Sequence, residues 1–190
     1  MNDKGFSLLE MVVVLGLMLV VGAFAAPAIK AYSVEAHLLG AGRVFKWEFM
    51  KARSIAVRSG VETAIRFEVA ADGSYQYSTY SDRNNNGVLA ADIATGVDPR
   101  ISGPLPLDGG APGVRVGIIP GTRGPDGDVL DPADPIVFGR SNMLSFSPFG
   151  TASPGTFYLA GEGVQAGVRV SPGSARVRML VCRRNRWIER

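Results

Sequence analysis

The sequence predicts an α+β chain in which one long N-terminal helix, membrane-spanning over its first half, packs on an antiparallel β-sheet domain. Three observations carry this. Met11 to Ile29 is a run of nineteen residues without a charge. The apolar period then stays compatible with a helix as far as Ser59, and from Glu62 it drops to two. The 190 residues suffice for one domain with its own core plus an appendage. The expected division is a leader at 1–5, a membrane half of the helix at 6–30, an amphipathic half at 31–60, and a β-rich domain at 61–190 with an irregular loop at 82–135.

The uncharged run is long enough, at about 1.5 Å per residue, to cross roughly 30 Å of hydrocarbon as a helix. Gly16, Gly22 and Pro27 fall where such a helix bends, and Pro27 removes a backbone donor. Three readings compete for residues 1–30: a cleavable secretory signal, a signal anchor, and a leader of another kind. A secretory peptidase has a small-x-small site at Ala23-Phe24-Ala25, which would leave Ala26 as the new terminus. Glu10 argues against that route. A carboxylate in an apolar insertion segment costs on the order of 2.5–3.5 kcal/mol near mid-membrane, less toward the end, and simple targeting gains nothing from it.

The residues Gly5-Phe6-Ser7-Leu8-Leu9-Glu10, after a short polar leader with Lys4 and before the apolar run, resemble the type IV prepilin motif. The resemblance implies cleavage by a prepilin peptidase between Gly5 and Phe6, usually followed by methylation of the Phe6 amine. It also implies that Glu10 meets the N-terminal amine of a neighbouring subunit as a filament grows. That agrees with the physics, because an intramembrane acid is tolerable when paired.

Beyond Lys30, Val34, Leu38, Ala41, Phe45, Ala52 and Ile55 form one apolar stripe. Glu35, Arg43, Lys46, Glu48, Lys51, Arg53 and Arg58 supply a solvated face, so this half is expected to lie on a small sheet. Gly60 is the expected stop. Gly40 and Gly42 weaken the helix locally and mark either flexibility or close packing. His37, the single histidine, lacks any partner at metal-ligand spacing and reads as a structural or surface residue.

Thr63 to Val69 and Tyr75 to Thr79 read as a hairpin about Asp72-Gly73. Further strands are expected at Val114–Ile119, Met143–Phe146, Thr156–Ala160, Gly167–Val170 and Arg176–Val181. This order, with the turn-rich stretch from Leu144 to Thr156, resembles minor pseudopilins of the GspH/FimT type. Such subunits occupy the inner membrane, with the globular domain in the periplasm, and assemble with other pilins or pseudopilins.

Charge is segregated along the chain. Asp72 to Asp134 carries nine Asp against four Arg, whereas Ala175 to Arg190 carries six Arg and one Glu. The segment from Asp82 to Pro135 also holds ten Gly and eight Pro, which predicts a long irregular excursion. At its start Asp82, Asn84 and Asn86 precede Gly87, as in the first half of a calcium loop. The twelfth position is Ile93, so a fourth oxygen would have to come from Asp92. The alternative is an Asn/Gly-rich turn that needs no metal. The second acidic cluster, Asp126, Asp128, Asp131 and Asp134, reads as a solvated loop.

The end of the chain predicts a strand running into an arginine-rich tail. Arg183, Arg184 and Arg186 with Trp187 suit phosphate and base contacts, which keeps DNA binding or adhesion as an alternative function. The other reading is that these arginines protect an edge strand or meet an acidic patch on a neighbour. The lone Cys182 excludes an intrachain disulfide and, within Met179-Leu180-Val181-Cys182, reads as a small buried side chain. No nucleophile-base pair, His/Cys metal cluster or phosphate loop is legible, so catalysis is not expected, and the resemblance implies a structural assembly subunit, a minor pseudopilin of a type II secretion system or a minor pilin of a type IV pilus.

Overall fold

A computed structural model describes residues 7–107, 111–139, 141–183 and 185–190, with the side chains of residues 26–28 and 31 also outside the description. Helix α1 runs from Leu8 to Ser59. Its 52 residues correspond to about 78 Å. The Ser7 hydroxyl accepts the Glu10 amide at 3.2 Å, so Ser7 and Glu10 occupy the two ends of a Ser-x-x-Glu capping sequence. The helix stops at Gly60, whose φ of 72° is left-handed and whose N–H donates to the Ala56 carbonyl at 3.0 Å.

The second half of α1 buries Val34, Leu38, Ala41, Phe45, Phe49, Ala52 and Ala56, at steps of four and three. The expected stripe is corrected in two places. Phe49 belongs to it, and Ile55 is only half-buried because the step from Ala52 runs to Ala56 and leaves Ile55 on the flank. Gly42 is a close-packing glycine: a Cβ there would stand 2.5 Å from Met179 Cε, whereas Gly40 faces open space.

Strands β1 (Thr63–Val69), β2 (Tyr75–Ser81), β3 (Arg100–Pro106) and β6 (Met143–Phe146) form a four-stranded antiparallel sheet in the order β3-β2-β1-β6. A six-stranded sheet runs β10-β9-β8-β7-β4, with β5 also pairing β7. Its strands are β4 (Arg115–Val116), β5 (Ile136–Val137), β7 (Gly155–Ala160), β8 (Gln165–Val170), β9 (Val177–Arg183) and β10 (Arg186–Glu189). Phe45 meets Phe157 edge-on at 4.8 Å between ring centres and Phe49 meets Phe138 at 6.0 Å. Phe67 of β1 stacks on both Phe138 and Phe157, so one aromatic cluster joins the helix to both sheets.

The single small sheet of the sequence reading is therefore two sheets. The loop expected to be irregular from 82 to 135 contains a short helix, α2 (Ala90–Thr95), and the edge strand β3. Pro104 and Pro106 are tolerated in β3 because it lies at an edge. Gly103, at φ 99°, fits where a Cβ would come 2.7 Å from the Tyr77 carbonyl oxygen. The strand expected at Val114–Ile119 shrinks to Arg115–Val116 because the Ile119 amide donates to Gln165 Oε1 at 2.7 Å and not to a neighbouring strand. The end of the chain is no free tail: Arg186–Glu189 returns as β10 on β9, with Trp187 opposite Cys182.

Candidate functional site

The first half of α1 is the feature without a counterpart in an ordinary soluble domain. From Leu8 to Ala25 mean hydropathy is 2.5 and none of the window is buried by the rest of the chain. Such a surface needs lipid or other helices around it. Glu10 lies within it at the third helical position, where the helix dipole favours a carboxylate. Among the described residues no cation pairs with Glu10. Gly5 and Phe6, the expected cleavage and methylation residues, lie outside the described residues. Pro27 is helical in its backbone, and its side chain is likewise outside.

Where the helix meets the domain, Lys30 pairs with Glu162 at 3.2 Å. His37 Nδ1 lies 3.1 Å from the Pro112 carbonyl oxygen, in keeping with a structural role. Glu35 pairs with Arg183 of β9. A Cβ at Gly161 would stand 2.9 Å from Val34 Cγ1, so the domain approaches the helix closely there. These contacts tie the start of the amphipathic half to the six-stranded sheet.

The four residues expected at a cation loop do share one turn, and the turn occupies them. Asp82 is buried and accepts the Asn85 amide at 2.8 Å and the Gly87 amide at 2.9 Å. Asn84 and Asn86 both donate to Asp92 Oδ2, at 3.1 and 2.9 Å. Their hydrogen bonds hold the Asp92 carboxyl below its usual 3.8. Asp98, which sequence reasoning missed, is buried and accepts the Arg83 and Leu89 amides at 3.2 and 3.1 Å. Its signal was weak because loop-closing aspartates share the composition of solvated ones. Among the described residues no group of three or more His, Cys, Asp or Glu is placed to hold a metal ion.

The second acidic cluster is partly structural. Asp126 takes both ends of the Arg169 guanidinium, at 3.0 and 2.6 Å, and that hydrogen bonding holds its carboxyl below 3.8. In the basic end, Trp187 Nε1 donates to the Arg123 carbonyl at 2.7 Å and the ring tilts against Tyr158. Arg183 is engaged by Glu35, Arg186 is exposed, and Arg184 lies outside the described residues. Cys182 is buried, and burial pushes its thiol up from 9.0. Trp187 thus serves the fold, fixing the 117–130 loop over the outer face of the six-stranded sheet.

A helix that is bare and apolar at one end and locked into a two-sheet domain at the other defines a membrane-anchored, pilin-like subunit. Residues 1–26 match the prokaryotic N-terminal methylation motif, and residues 41–174 match the type II transport protein GspH. The chain belongs to the GspH family, whose members are structural pilin-type subunits. No curated protein and no solved structure matches the chain.

Proposed function

We propose that the chain is a minor pseudopilin of a type II secretion system, matured by cleavage between Gly5 and Phe6 and methylation of the Phe6 amine. The apolar half of α1 holds it in the inner membrane with the domain on the periplasmic side. On entry into the fibre, Glu10 pairs with the terminal amine of a neighbouring subunit. The observation that carries this reading is the uncovered apolar helix from Leu8 to Ala25 with a single carboxylate at Glu10, continuous with a helix half buried in the domain. The reading needs no metal. Arg183 of β9 serves it by pairing with Glu35, Arg176 just before β9 and Arg178 within it by pairing with Glu189, and the exposed Arg186 by charging the edge strand β10.

Intact mass and N-terminal sequencing of the mature protein test it. A chain that starts at Phe6 and carries one extra methyl group is expected. A start at Ala26, or at Met1 with the peptidase present, refutes it. Loss of protein secretion with pili intact in a deletion strain assigns the subunit to secretion and not to a type IV pilus.

A further inference from the structure

Helix α1 has a second apolar stripe, and the domain leaves it bare. Val44, Trp47, Met50 and Val57 are 53%, 59%, 54% and 51% exposed. At about 100° per residue they centre on the side of the helix opposite Leu38, Phe45, Phe49 and Ala52. Two contacts shape this surface. Lys51 Nζ stands 5.1 Å from the centre of the Trp47 ring, which orients the indole. Phe149, 92% exposed, rides on a turn whose Gly150 lies beside the Arg53 guanidinium. A bare aromatic therefore borders the same helix.

The charge around the stripe has one sign. Arg43, Lys51 and Arg58 fall within its arc, Lys46 and Arg53 flank it, and the one acid from Arg43 to Arg58, Glu48, already pairs with Lys51 at 3.7 Å. A second copy packed parallel on this face would set arginine and lysine against arginine and lysine, which disfavours it. Lipid is out of reach, because Trp47 lies about 33 Å along the helix from Ala25.

We propose that this stripe seats the helix of a different pilin-like subunit, one whose own apolar ridge is flanked by carboxylates. Trp47 is the anchor, and Arg43 and Lys51 select for acid. This rests on the assembly reading above and adds the chemistry of the neighbour: the chain packs beside an acidic helix and not beside itself.

Photo-crosslinking of the full chain in cells that carry the assembly machinery tests it, with the reactive group at Val44, at Met50 and, as a control, at the equally exposed Val69 of β1. Expected are adducts from Val44 and Met50, but not Val69, that map to the N-terminal helix of another subunit within a stretch bearing Asp or Glu. Trp47→Ala with Lys51→Glu lowers their yield about tenfold at unchanged membrane level, and an acid-to-Lys change in the mapped stretch restores it. Adducts to a second copy of this chain, whether to its helix or to the Asp126–Asp134 loop, overturn the proposal. So do adducts to lipid alone, or a yield indifferent to the double substitution. Co-sedimentation of the unsubstituted chain with sheared fibres separates the two levels. If it fails, the assembly reading falls as well. If it holds without the adducts, only the helix seat falls.

Discussion

Replacing Phe45 with Ala tests whether the second half of α1 is a core element of the domain. Phe45 is fully buried, and its ring meets Phe157 at 4.8 Å and Tyr77 at 5.8 Å, both edge-on. Removing a core phenylalanine costs about 3–5 kcal/mol, from lost transfer energy and the cavity left behind. The rings around it come from β2 and β7 of different sheets, so collapse into the gap is hindered and the middle of that range applies. At roughly 2–4 °C per kcal/mol for a chain of this size, a loss of about 4 kcal/mol lowers the melting temperature by ~8–16 °C. The matched control is Trp47→Ala, two residues along on the bare face, which stays within about 0.5 kcal/mol, or ~2 °C. Near-ultraviolet circular dichroism melts of the detergent-solubilised full chain measure both. Equal shifts for the two variants, or no shift for Phe45→Ala, would refute the placement of the two faces.

Glu10→Ala is expected to leave the chain stable and membrane-bound but strongly depleted from sheared fibres, as read by fractionation and immunoblot; normal incorporation removes its pairing role. The Asp126–Arg169 contact makes stability pH-dependent with a definite sign. Arg169 lowers the folded-state carboxyl below 3.8, so its contribution is full above the unfolded value and is lost as pH falls through the folded one. The melting-temperature gap between the native chain and Asp126→Asn is thus expected to hold from neutral pH to about 5 and to close below about 4. A gap that widens in acid contradicts the assignment. The turn at Asp82–Asp98 closes on its own hydrogen bonds, so millimolar calcium is expected to shift the melting temperature by less than about 1 °C. Saturating a site a hundredfold above its dissociation constant would add about 2.7 kcal/mol, and a shift of that order would establish Asp82, Asn84, Asn86 and Asp92 as a cation site.

The helix bounds and the first hairpin were legible because each rests on local chemistry. Gly60 ends α1 by its left-handed φ, and the alternation from Thr63 shows in buried Ile65 and Phe67 against half-buried Arg66 and Glu68, although Ala64 is buried on the other face beside Tyr80 and Val88 and Val69 is exposed. What escaped reading is what long-range partners decide. β3 looks like loop because Gly103, Pro104 and Pro106 break a strand pattern, yet an edge position on β2 tolerates them. β10 looks like a basic tail because its arginines dominate, and only its pairing with β9 shows it as a strand. Gln165 is unremarkable in sequence, but its side chain spans from the Ile119 amide to the Gly117 and Leu159 carbonyls and so cuts short the strand expected at 114–119. The bare stripe on α1 was missed for a related reason. Val44, Trp47 and Met50 alternate with the very arginines and lysines that marked the face as solvated.

The two halves of α1 place Glu10 in a definite thermodynamic position. Nothing in the domain covers Leu8 to Ala25, so in the membrane this half already has an apolar environment, and moving it among other helices gains little hydrophobic energy. Packing and polar pairing must then drive the transfer. An unpaired carboxylate in lipid costs on the order of 2.5–3.5 kcal/mol near mid-membrane, less toward the helix end where Glu10 sits. Under the proposed pairing, a neighbour's amine relieves that cost only in the fibre, so Glu10 raises the energy of the starting state relative to the product. The sign of its substitution separates this from a targeting role. Removing a charge from the apolar segment makes membrane insertion easier, so a loss from fibres that accompanies unchanged or greater retention in the membrane is the signature of assembly bias, whereas poorer insertion would count against it.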